Sequence, residues 1–275
     1  MVKSEMRRIG PAVAGAAAVA ATWGWFEAGW IRLRTLDVAL RGLPPELDGM
    51  RIVHLSDFHL GVPSRSWQAI QRGVEWARER DPELVAITGD LLSRPNGEPR
   101  LRSLVARLPR CYAVLGNHDF ADTRDPFSKL APLTELEPAT LLRDDSRTIE
   151  LRGKRVQIAG VDPVSYRGGQ ALPERLADRD ADLRILLCHY PYVVDKLTPG
   201  AFHLVLAGHL HSGQIAVPYG SGKLRLSQTR WTYVEGLYQR PAATLHVSPG
   251  LGTTFVPLRF FARPEATELV LTAAR

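Results

Sequence analysis

Five short segments between residues 57 and 211 carry side chains that bind metals or transfer protons. They read Asp57-Phe58-His59, Gly89-Asp90, Gly116-Asn117-His118-Asp119, Cys188-His189 and Gly208-His209-Leu210-His211. Oxygen ligands mixed with imidazoles suit Mn, Fe, Zn or Co ions, and the sequence has no cysteine cluster of the kind that holds structural zinc. The set has enough ligands for two metal ions, and paired ions are a common device for attacking phosphate esters.

Each of these segments follows an apolar run that we predict to be a β-strand. The runs cover residues 52–56, 84–88, 111–115, 183–187 and 204–206. Sites in open α/β sheets form at the carboxyl ends of strands. Each segment alone is compatible with ordinary loop polarity, but their common position predicts one shared site.

The spacing within the segments indicates which side chains could bind the same ion and which could not. Asp57 and His59 are two residues apart and would face the same way on an extended strand end. Asp90 offers two carboxylate oxygens and could bridge two ions. Asn117 offers a neutral oxygen, whereas the adjacent His118 points elsewhere and is free for proton transfer.

Helical and strand patterns alternate around these segments. A helix beginning at Ser66 has apolar residues at helical spacing and is stopped by Asp81-Pro82, which predicts a right-handed βαβ unit. A second helix is expected at about residues 100–108. Further strands are expected at residues 36–40, 155–159 and 268–271.

The composition limits the classes of partner. The chain has 275 residues and a formal charge of +6, from 35 Lys and Arg against 29 Asp and Glu. The basic residues are scattered, so nucleic-acid binding gains little support, whereas a phosphate-bearing substrate or an anionic membrane surface fits. Cys111 and Cys188 lie in or beside apolar runs and are expected to be buried.

Residues 1–30 form a separate hydrophobic segment, and residues 31–275 are predicted to form the catalytic domain. Basic residues precede an uncharged, Ala-rich stretch from Ile9 to Phe26 that ends in aromatic residues. Three interpretations are open: an uncleaved membrane anchor, a cleaved export signal, or an apolar helix packed on the domain. We favour a single amino-terminal anchor that makes the protein membrane-associated, with the side of the membrane left open.

The five segments together resemble the calcineurin-like metallophosphoesterases, whose pattern is D-x-H, G-D, G-N-H-[DE], H and G-H-x-H. The chain is most similar to a bacterial branch of membrane-associated or exported phosphodiesterases, through Leu43-Pro44, Ser248-Pro249-Gly250-Leu251-Gly252-Thr253 and Arg259-Phe260-Phe261. Leu210 and Ser212 stand where that branch has Thr and Gly, while Gly213 and Gln214 match it. The resemblance implies an α/β fold, a four-layer αββα sandwich with a dinuclear metal site at the strand ends, preceded here by the hydrophobic helix.

The resemblance also implies a role for each site residue. One ion would be bound by Asp57, His59 and His211, the other by Asn117, His189 and His209, with Asp90 as the bridge. His118 would donate a proton or clamp the phosphate. The cofactors would be two divalent ions from among Mn, Fe, Zn and Co, and we favour Mn.

These implications predict a metal-dependent hydrolase of phosphodiesters or phosphomonoesters, acting near a membrane on a lipid-like substrate. The alternatives are a UDP-2,3-diacylglucosamine pyrophosphatase, a nuclease or cyclic-nucleotide phosphodiesterase, and a non-catalytic scaffold on the same fold. The lack of a basic cluster disfavours a nuclease, and the intact ligand positions disfavour a scaffold. Outside the segments, His54, His203 and His246 are expected to be structural, and Trp231 and Tyr233 either line an apolar substrate slot or pack in the core.

Overall fold

The computed structural model describes residues 2–131, 133–220, 222–226 and 231–274, with side chains described from residue 13 onward. The α-helices are α1 (Val2–Ala28), α2 (Ser66–Arg80), α3 (Glu98–Val105) and α4 (Pro163–Arg167). The strands are β1 (Arg32–Leu40), β2 (Arg51–Leu55), β3 (Leu84–Thr88), β4 (Cys111–Val114), β5 (Thr140–Leu141), β6 (Asp145–Leu151), β7 (Lys154–Gly160), β8 (Leu183–Leu187), β9 (Leu204–Ala207), β10 (Ala216–Tyr219), β11 (Gly222–Arg225), β12 (Gly236–Gln239), β13 (Thr244–Val247) and β14 (Glu265–Ala273).

The βαβ unit expected near the start of the domain is formed by β2, α2 and β3. Ile70, Val74 and Ala77 of α2 are buried, as their helical spacing predicts. The helix ends at Asp81, which has a left-handed backbone with φ of 46°. Pro82 follows directly and cannot continue a helix, because its ring fixes φ and it has no N–H to donate.

The strands form two mixed six-stranded sheets and a small hairpin. The first sheet has the order β1-β14-β2-β3-β4-β5, and the second has the order β12-β13-β9-β8-β7-β6. Neighbouring strands are parallel in both sheets except at β14 against β2, at β6 against β7 and at β12 against β13. The α/β class with mixed sheets is therefore confirmed.

The two sheets pack face to face across an apolar core. Ile52 and Leu84 of the first sheet and Ile185 and Leu206 of the second are fully buried in it. Helices α2 and α3 cover the outer face of the first sheet. The outer face of the second sheet is covered mainly by turns and loops, including a 3₁₀ segment over Pro191–Lys196. Pro191 at its start prevents a longer helix from extending backwards.

The parallel strands of both sheets end at one edge of the sandwich. Strands β2, β3 and β4 are parallel neighbours in the first sheet, and β8, β9 and β13 are parallel neighbours in the second. Because the two sheets are stacked, the segments that follow these strands are brought to one place.

Helix α1 covers the amino-terminal segment, and its side chains at residues 13–22 are exposed. None of the helices in the described ranges is both long enough and apolar enough to cross a bilayer. The predicted transmembrane anchor is therefore not supported, because the stretch is mostly alanine and glycine and has few of the Leu, Ile, Val and Phe residues that favour insertion. The basic residues Lys3, Arg7 and Arg8 lie outside the described side chains.

The carboxyl-terminal turns of α1 contact the rest of the domain. The Gly24 carbonyl accepts a hydrogen bond from the Arg259 backbone N–H at 3.0 Å. Glu27 is buried, and its carboxylate accepts the Ala262 N–H at 2.8 Å and the Trp23 indole N–H at 3.0 Å. Helix α1 is thus exposed over residues 13–22, and its final turns pack on the domain.

Candidate metal centre

The predicted ligands lie in tight turns immediately after the strands. Asp57, His59, Asp90, His209 and His211 all have left-handed backbones, with φ between 49° and 80°. The expectation that Asp57 and His59 share an extended strand end is wrong, since β2 ends at Leu55. Left-handed backbone is uncommon for residues other than glycine, and strained conformations cluster at functional sites.

Two glycines allow these turns to approach one another. A Cβ atom on Gly116 would overlap the Asp90 carboxylate and backbone, and one on Gly208 would overlap Ser56 and the Asp57 carboxylate. A side chain at either position would therefore push the neighbouring turn away. This close approach explains why glycine precedes the ligands in both segments.

One group of four buried ligands is formed by Asp57, His59, Asp90 and His211, whose candidate ligand atoms all lie within 4.8 Å of one another. His211 Nε2 is 3.0 Å from His59 Nε2 and 3.4 Å from Asp57 Oδ1. His59 Nε2 is 3.5 Å from Asp90 Oδ2. These atoms come from the turns after β2, β3 and β9, so both sheets contribute to the group.

A second group shares Asp90 and adds His189 and His209. His189 Nε2 is 3.2 Å from Asp90 Oδ2 and 3.0 Å from His209 Nδ1. Asp90 thus stands between the two groups, where the sequence predicted a bridging carboxylate.

Asn117 is the remaining predicted ligand, and its side-chain oxygen is free to bind. The Nδ2 group donates to the Asp122 carbonyl at 3.3 Å, whereas the buried Oδ1 atom has no hydrogen-bond partner among the described residues. A buried acceptor without a donor is destabilising. A cation beside Oδ1 would remove that cost.

The tautomer of His189 directs its other ring nitrogen towards Asp90. His189 Nδ1 donates to the Thr88 carbonyl at 2.8 Å, so in the neutral ring the Nε2 lone pair points at the Asp90 carboxylate. Two acceptors at this distance repel unless a proton or a cation lies between them. Together with the free Asn117 oxygen, this arrangement fits divalent cations.

Burial keeps three of the imidazoles neutral, which is the form that binds metals. It lowers the pKa of His59 to about 3 and that of His209 to about 3, and neighbouring positive charge adds to both effects. Burial also lowers the pKa of His211 well below its usual value.

The pKa values of Asp90, Asp57 and His189 reflect a balance between burial and neighbouring charges. Burial alone would raise the pKa of Asp90, but the neighbouring charges of His189 and His118 outweigh it and hold that pKa well below its usual value. Burial raises the pKa of Asp57 to about 7. Burial lowers the pKa of His189, but the pairing with Asp90 outweighs it, so the net pKa is raised to about 9.

His118 lies beside the two groups and belongs to neither. Its backbone N–H donates to Asp90 Oδ1 at 2.8 Å, and its ring packs edge to face on the His59 ring, with 4.6 Å between the centroids. The ring Nε2 is 3.4 Å from Thr254 Oγ1, and Nδ1 is 4.0 Å from Asp125 Oδ2. Nδ1 has no hydrogen-bond partner within the described part of the chain. The ring is thus placed to exchange a proton.

Asp119 ties two of the turns together. Its carboxylate accepts the backbone N–H groups of Gly116, Leu91 and Leu92 at 2.8, 3.3 and 2.8 Å. The turns after β3 and β4, which carry Asp90 and Asn117, are therefore fixed relative to each other.

Arg259 was not identified as a functional residue from the sequence. It is fully buried, and its guanidinium donates to the carbonyls of Pro249, Gly250, Gly252 and Ala262. Its Nη2 atom lies 3.2 Å from His211 Nδ1. Burial lowers the pKa of Arg259 to about 10, so the group stays charged at neutral pH. Because most of its partners are backbone atoms, no pattern of side chains in the sequence indicates this contact.

The remaining singled-out residues lie outside the two groups. His54 and His246 are both buried, with their Nδ1 atoms 2.7 Å apart, and His54 Nε2 contacts Thr88 Oγ1 at 2.8 Å. Tyr233 is buried on the outer side of the second sheet, while Trp231 is half exposed. Tyr233 therefore packs in the core, which was one of the two interpretations offered for it.

The chain matches known proteins over the region that carries these groups. Residues 50–213 match the family model described as calcineurin-like phosphoesterase. The metallophosphoesterase YkuE of Bacillus subtilis is 31% identical over 241 residues, which cover 83% of this chain and 81% of the relative. The phosphodiesterase YaeI of Escherichia coli is 26% identical over 257 residues, which cover 90% of this chain and 89% of that protein.

A vertebrate protein is also similar. The bovine (Bos taurus) protein named transmembrane protein with metallophosphoesterase domain is 31% identical over 261 residues. The match covers 87% of this chain and 57% of the bovine protein.

Proposed function

The chain belongs to the calcineurin-like phosphoesterase family and is a phosphoester hydrolase, and from this premise we propose that it cleaves phosphodiesters with two divalent ions bound at the candidate centre. The observation that carries the proposal is the position of Asp90, which is shared by both ligand groups. Asp57, His59 and His211 would hold one ion, and Asn117, His189 and His209 would hold the other.

Two bound divalent ions neutralise the charge of a phosphate and make an attacking water more acidic. The side chains of this protein supply the remaining functions. His118 lies beside the two groups and would donate a proton to the leaving oxygen. Asp125 lies next to this ring, with Oδ2 at 4.0 Å from His118 Nδ1.

The test is to strip the protein with a chelator and reload it separately with Mn, Fe, Zn or Co. We expect about two equivalents of bound metal at full activity, with Mn the most effective ion. Activity would be followed on bis(p-nitrophenyl) phosphate and on p-nitrophenyl phosphate, which separate diesterase from monoesterase action. Full activity with one equivalent of metal would contradict the dinuclear proposal.

The same assay separates the alternative substrates. UDP-2,3-diacylglucosamine, cyclic nucleotides and single-stranded DNA would be offered to the Mn-loaded protein in parallel. A catalytic efficiency for one of these far above that for the simple diesters would identify that alternative. Stoichiometric metal binding without any hydrolysis would favour a scaffold.

We also propose that the protein acts at a membrane surface, through four aromatic side chains on and just after α1. This aromatic patch consists of Trp23, Trp25, Phe26 and Trp30, which are between 39% and 44% exposed. Arg65 lies over the Phe26 ring at 5.6 Å and Arg263 over the Trp30 ring at 3.8 Å. Aromatic rings beside basic groups suit the headgroup region of an anionic bilayer. The name of the bovine relative is in keeping with a membrane location.

Vesicle flotation tests the membrane proposal. The full chain should float with vesicles containing anionic lipid and bind neutral vesicles less. Phe26→Ser combined with Trp30→Ser should reduce flotation by tenfold or more. Trp231→Ser is the matched control, since Trp231 is equally exposed but lies outside the patch. Equal flotation of all three proteins would exclude the patch as the contact.

A further inference from the structure

An apolar pocket of about 340 Å³ lies beside His118, and none of the family motifs assigns it a role. Asp125 and Thr254 line the pocket, and their side chains also approach the His118 ring. Arg94 and Thr253 also line it, and the remaining lining residues are apolar: Val62, Pro63, Phe127, Phe255, Val256 and Pro257. Pockets of this size with apolar walls and a few polar groups at one end are typical ligand sites.

Large apolar side chains that line the pocket are exposed to water. Phe127, Phe255 and Val256 are 44%, 47% and 40% exposed. Clustered exposed apolar groups on a soluble domain mark a site that another apolar group covers. Here the cluster is continuous with the reaction centre, because Thr254 and Phe255 are adjacent in sequence and Thr254 contacts His118.

The loop that carries Phe255 is held in a strained conformation. Phe255 has φ of 58°, in the left-handed region that bulky residues avoid. Asp125 accepts the Phe255 N–H and the Thr254 hydroxyl, each at 2.9 Å. Gln214 donates to the Thr254 and Val256 carbonyls at 2.8 and 3.0 Å and accepts the Thr254 N–H at 3.0 Å. Gln214 follows the last metal-ligand segment in sequence and thus fixes the pocket wall against the centre.

We propose that this pocket binds the apolar part of the leaving alcohol of an amphiphilic phosphodiester. The inference rests on the proposed function, in which His118 gives its proton to the leaving oxygen. His118 Nε2 lies 3.4 Å from Thr254 Oγ1, so a group bonded to that oxygen can lie against Thr254 and the apolar residues beside it. The anionic phosphate lies on the side of the ligand groups, and the hydrocarbon lies on the side of Phe255.

The test compares diesters that differ only in the leaving group. Methyl phenyl phosphate and methyl 4-butylphenyl phosphate have leaving phenols of similar acidity, so their intrinsic reactivity is matched. Each methylene removed from water is worth a factor of about 4. With incomplete burial we expect kcat/KM of the Mn-loaded protein to rise at least about tenfold for the butyl compound. Butyl phenyl phosphate, with the chain on the other oxygen, should show a gain below about threefold, because that chain stays largely in water.

Phe255→Gly is the decisive variant, because glycine accepts the left-handed backbone and removes only the ring. The ratio of kcat/KM between the two phenyl esters should fall below about threefold. Phe261→Gly is the matched control: Phe261 has φ of 51° and is 43% exposed, but it does not line the pocket. The control should keep the full ratio. Phe127→Ala provides a second pocket variant whose backbone is unaffected.

A binding measurement separates this inference from the proposed function. Titration calorimetry on chelator-treated protein should show 4-butylphenol binding at least about tenfold more tightly than phenol, with the difference lost in Phe255→Gly and kept in Phe261→Gly. If no diester is hydrolysed but this pattern appears, the proposed function fails and the pocket assignment stands. If both phenols bind equally, or the ester ratio is near one in the unaltered protein, the pocket assignment is wrong. A gain on butyl phenyl phosphate instead would place the hydrocarbon on the other ester oxygen and overturn the assignment.

Discussion

Removing the last turns of α1 should destabilise the catalytic domain, although these turns carry none of the candidate ligands. A form beginning at Ile31 loses the Gly24 carbonyl that accepts the Arg259 N–H and the Glu27 carboxylate that accepts the Ala262 N–H. It also exposes the Phe260 ring, which lies against Gly24. Arg259 in turn contacts His211, so the loss should reach the metal centre.

The magnitude follows from these contacts. Each N–H group left without its partner costs about 1 kcal/mol, the low end of the usual range, because water can enter once the helix is gone. The apolar contacts of Phe260 and of the buried Ala28 add about 1 kcal/mol. The free energy of unfolding should therefore fall by roughly 3 kcal/mol, which lowers Tm by roughly 6–12 °C in a domain of this size.

Urea unfolding followed by tryptophan fluorescence and circular dichroism would measure this change in Mn-loaded protein. The control is a form beginning at Ala20, which removes residues 1–19, of which residues 13–19 are exposed, and keeps the contacting turns. It should differ from the full chain by less than about 0.5 kcal/mol. If the form beginning at Ile31 is as stable as the form beginning at Ala20, the contacts of Gly24 and Glu27 do not stabilise the domain and the reasoning is refuted.

Three further perturbations concern the centre itself. Asp90→Ala should reduce bound metal from two equivalents to near zero and abolish diesterase activity; retention of one tight equivalent by metal analysis would show that Asp90 is not shared. His118→Ala should keep both ions but lower kcat on methyl phenyl phosphate about a hundredfold, with a smaller loss on p-nitrophenyl esters, whose leaving group needs no proton; an equal loss on both esters would argue against proton donation. Arg259→Lys keeps the charge but loses the planar fork, so competition with a fluorescent chelator should show metal affinity lowered about 10-fold to 100-fold; unchanged affinity would mean that the contact with His211 is incidental.

The ligand positions could be predicted from the sequence because each lies directly after its own strand. Asp57 and His189 follow short apolar runs that strand propensity identifies, and parallel strands in stacked sheets bring their ends together whatever the intervening loops do. Gly116 and Gly208 stand in two of these segments, but the close approach that they allow is visible only in the structure. Local sequence patterns were therefore sufficient to predict both the strands and the positions of the candidate ligands.

Thr254, Asp125 and Gln214 could not be predicted, because their meeting depends on loop conformations. Thr254 is 136 residues from His118 and 129 from Asp125 in sequence, and its loop contains no repeated pattern. The burial of Glu27 could not be predicted from the sequence either. It follows directly on the uncharged stretch and resembles the polar end of an anchor, whereas its burial depends on a backbone N–H at residue 262.

The shared carboxylate has a consequence for how the centre is filled. Without metal, His189 is protonated at neutral pH, because its pKa beside Asp90 is about 9. An ion that binds His189 must displace this proton, so loading of the second group is an ion exchange in which hydrogen ions compete with the metal. Below pH 9, each further drop of one pH unit should lower the apparent affinity of that group about tenfold through this proton alone. At a fixed metal concentration, acidification would therefore lower the fraction of protein in which the second group is filled.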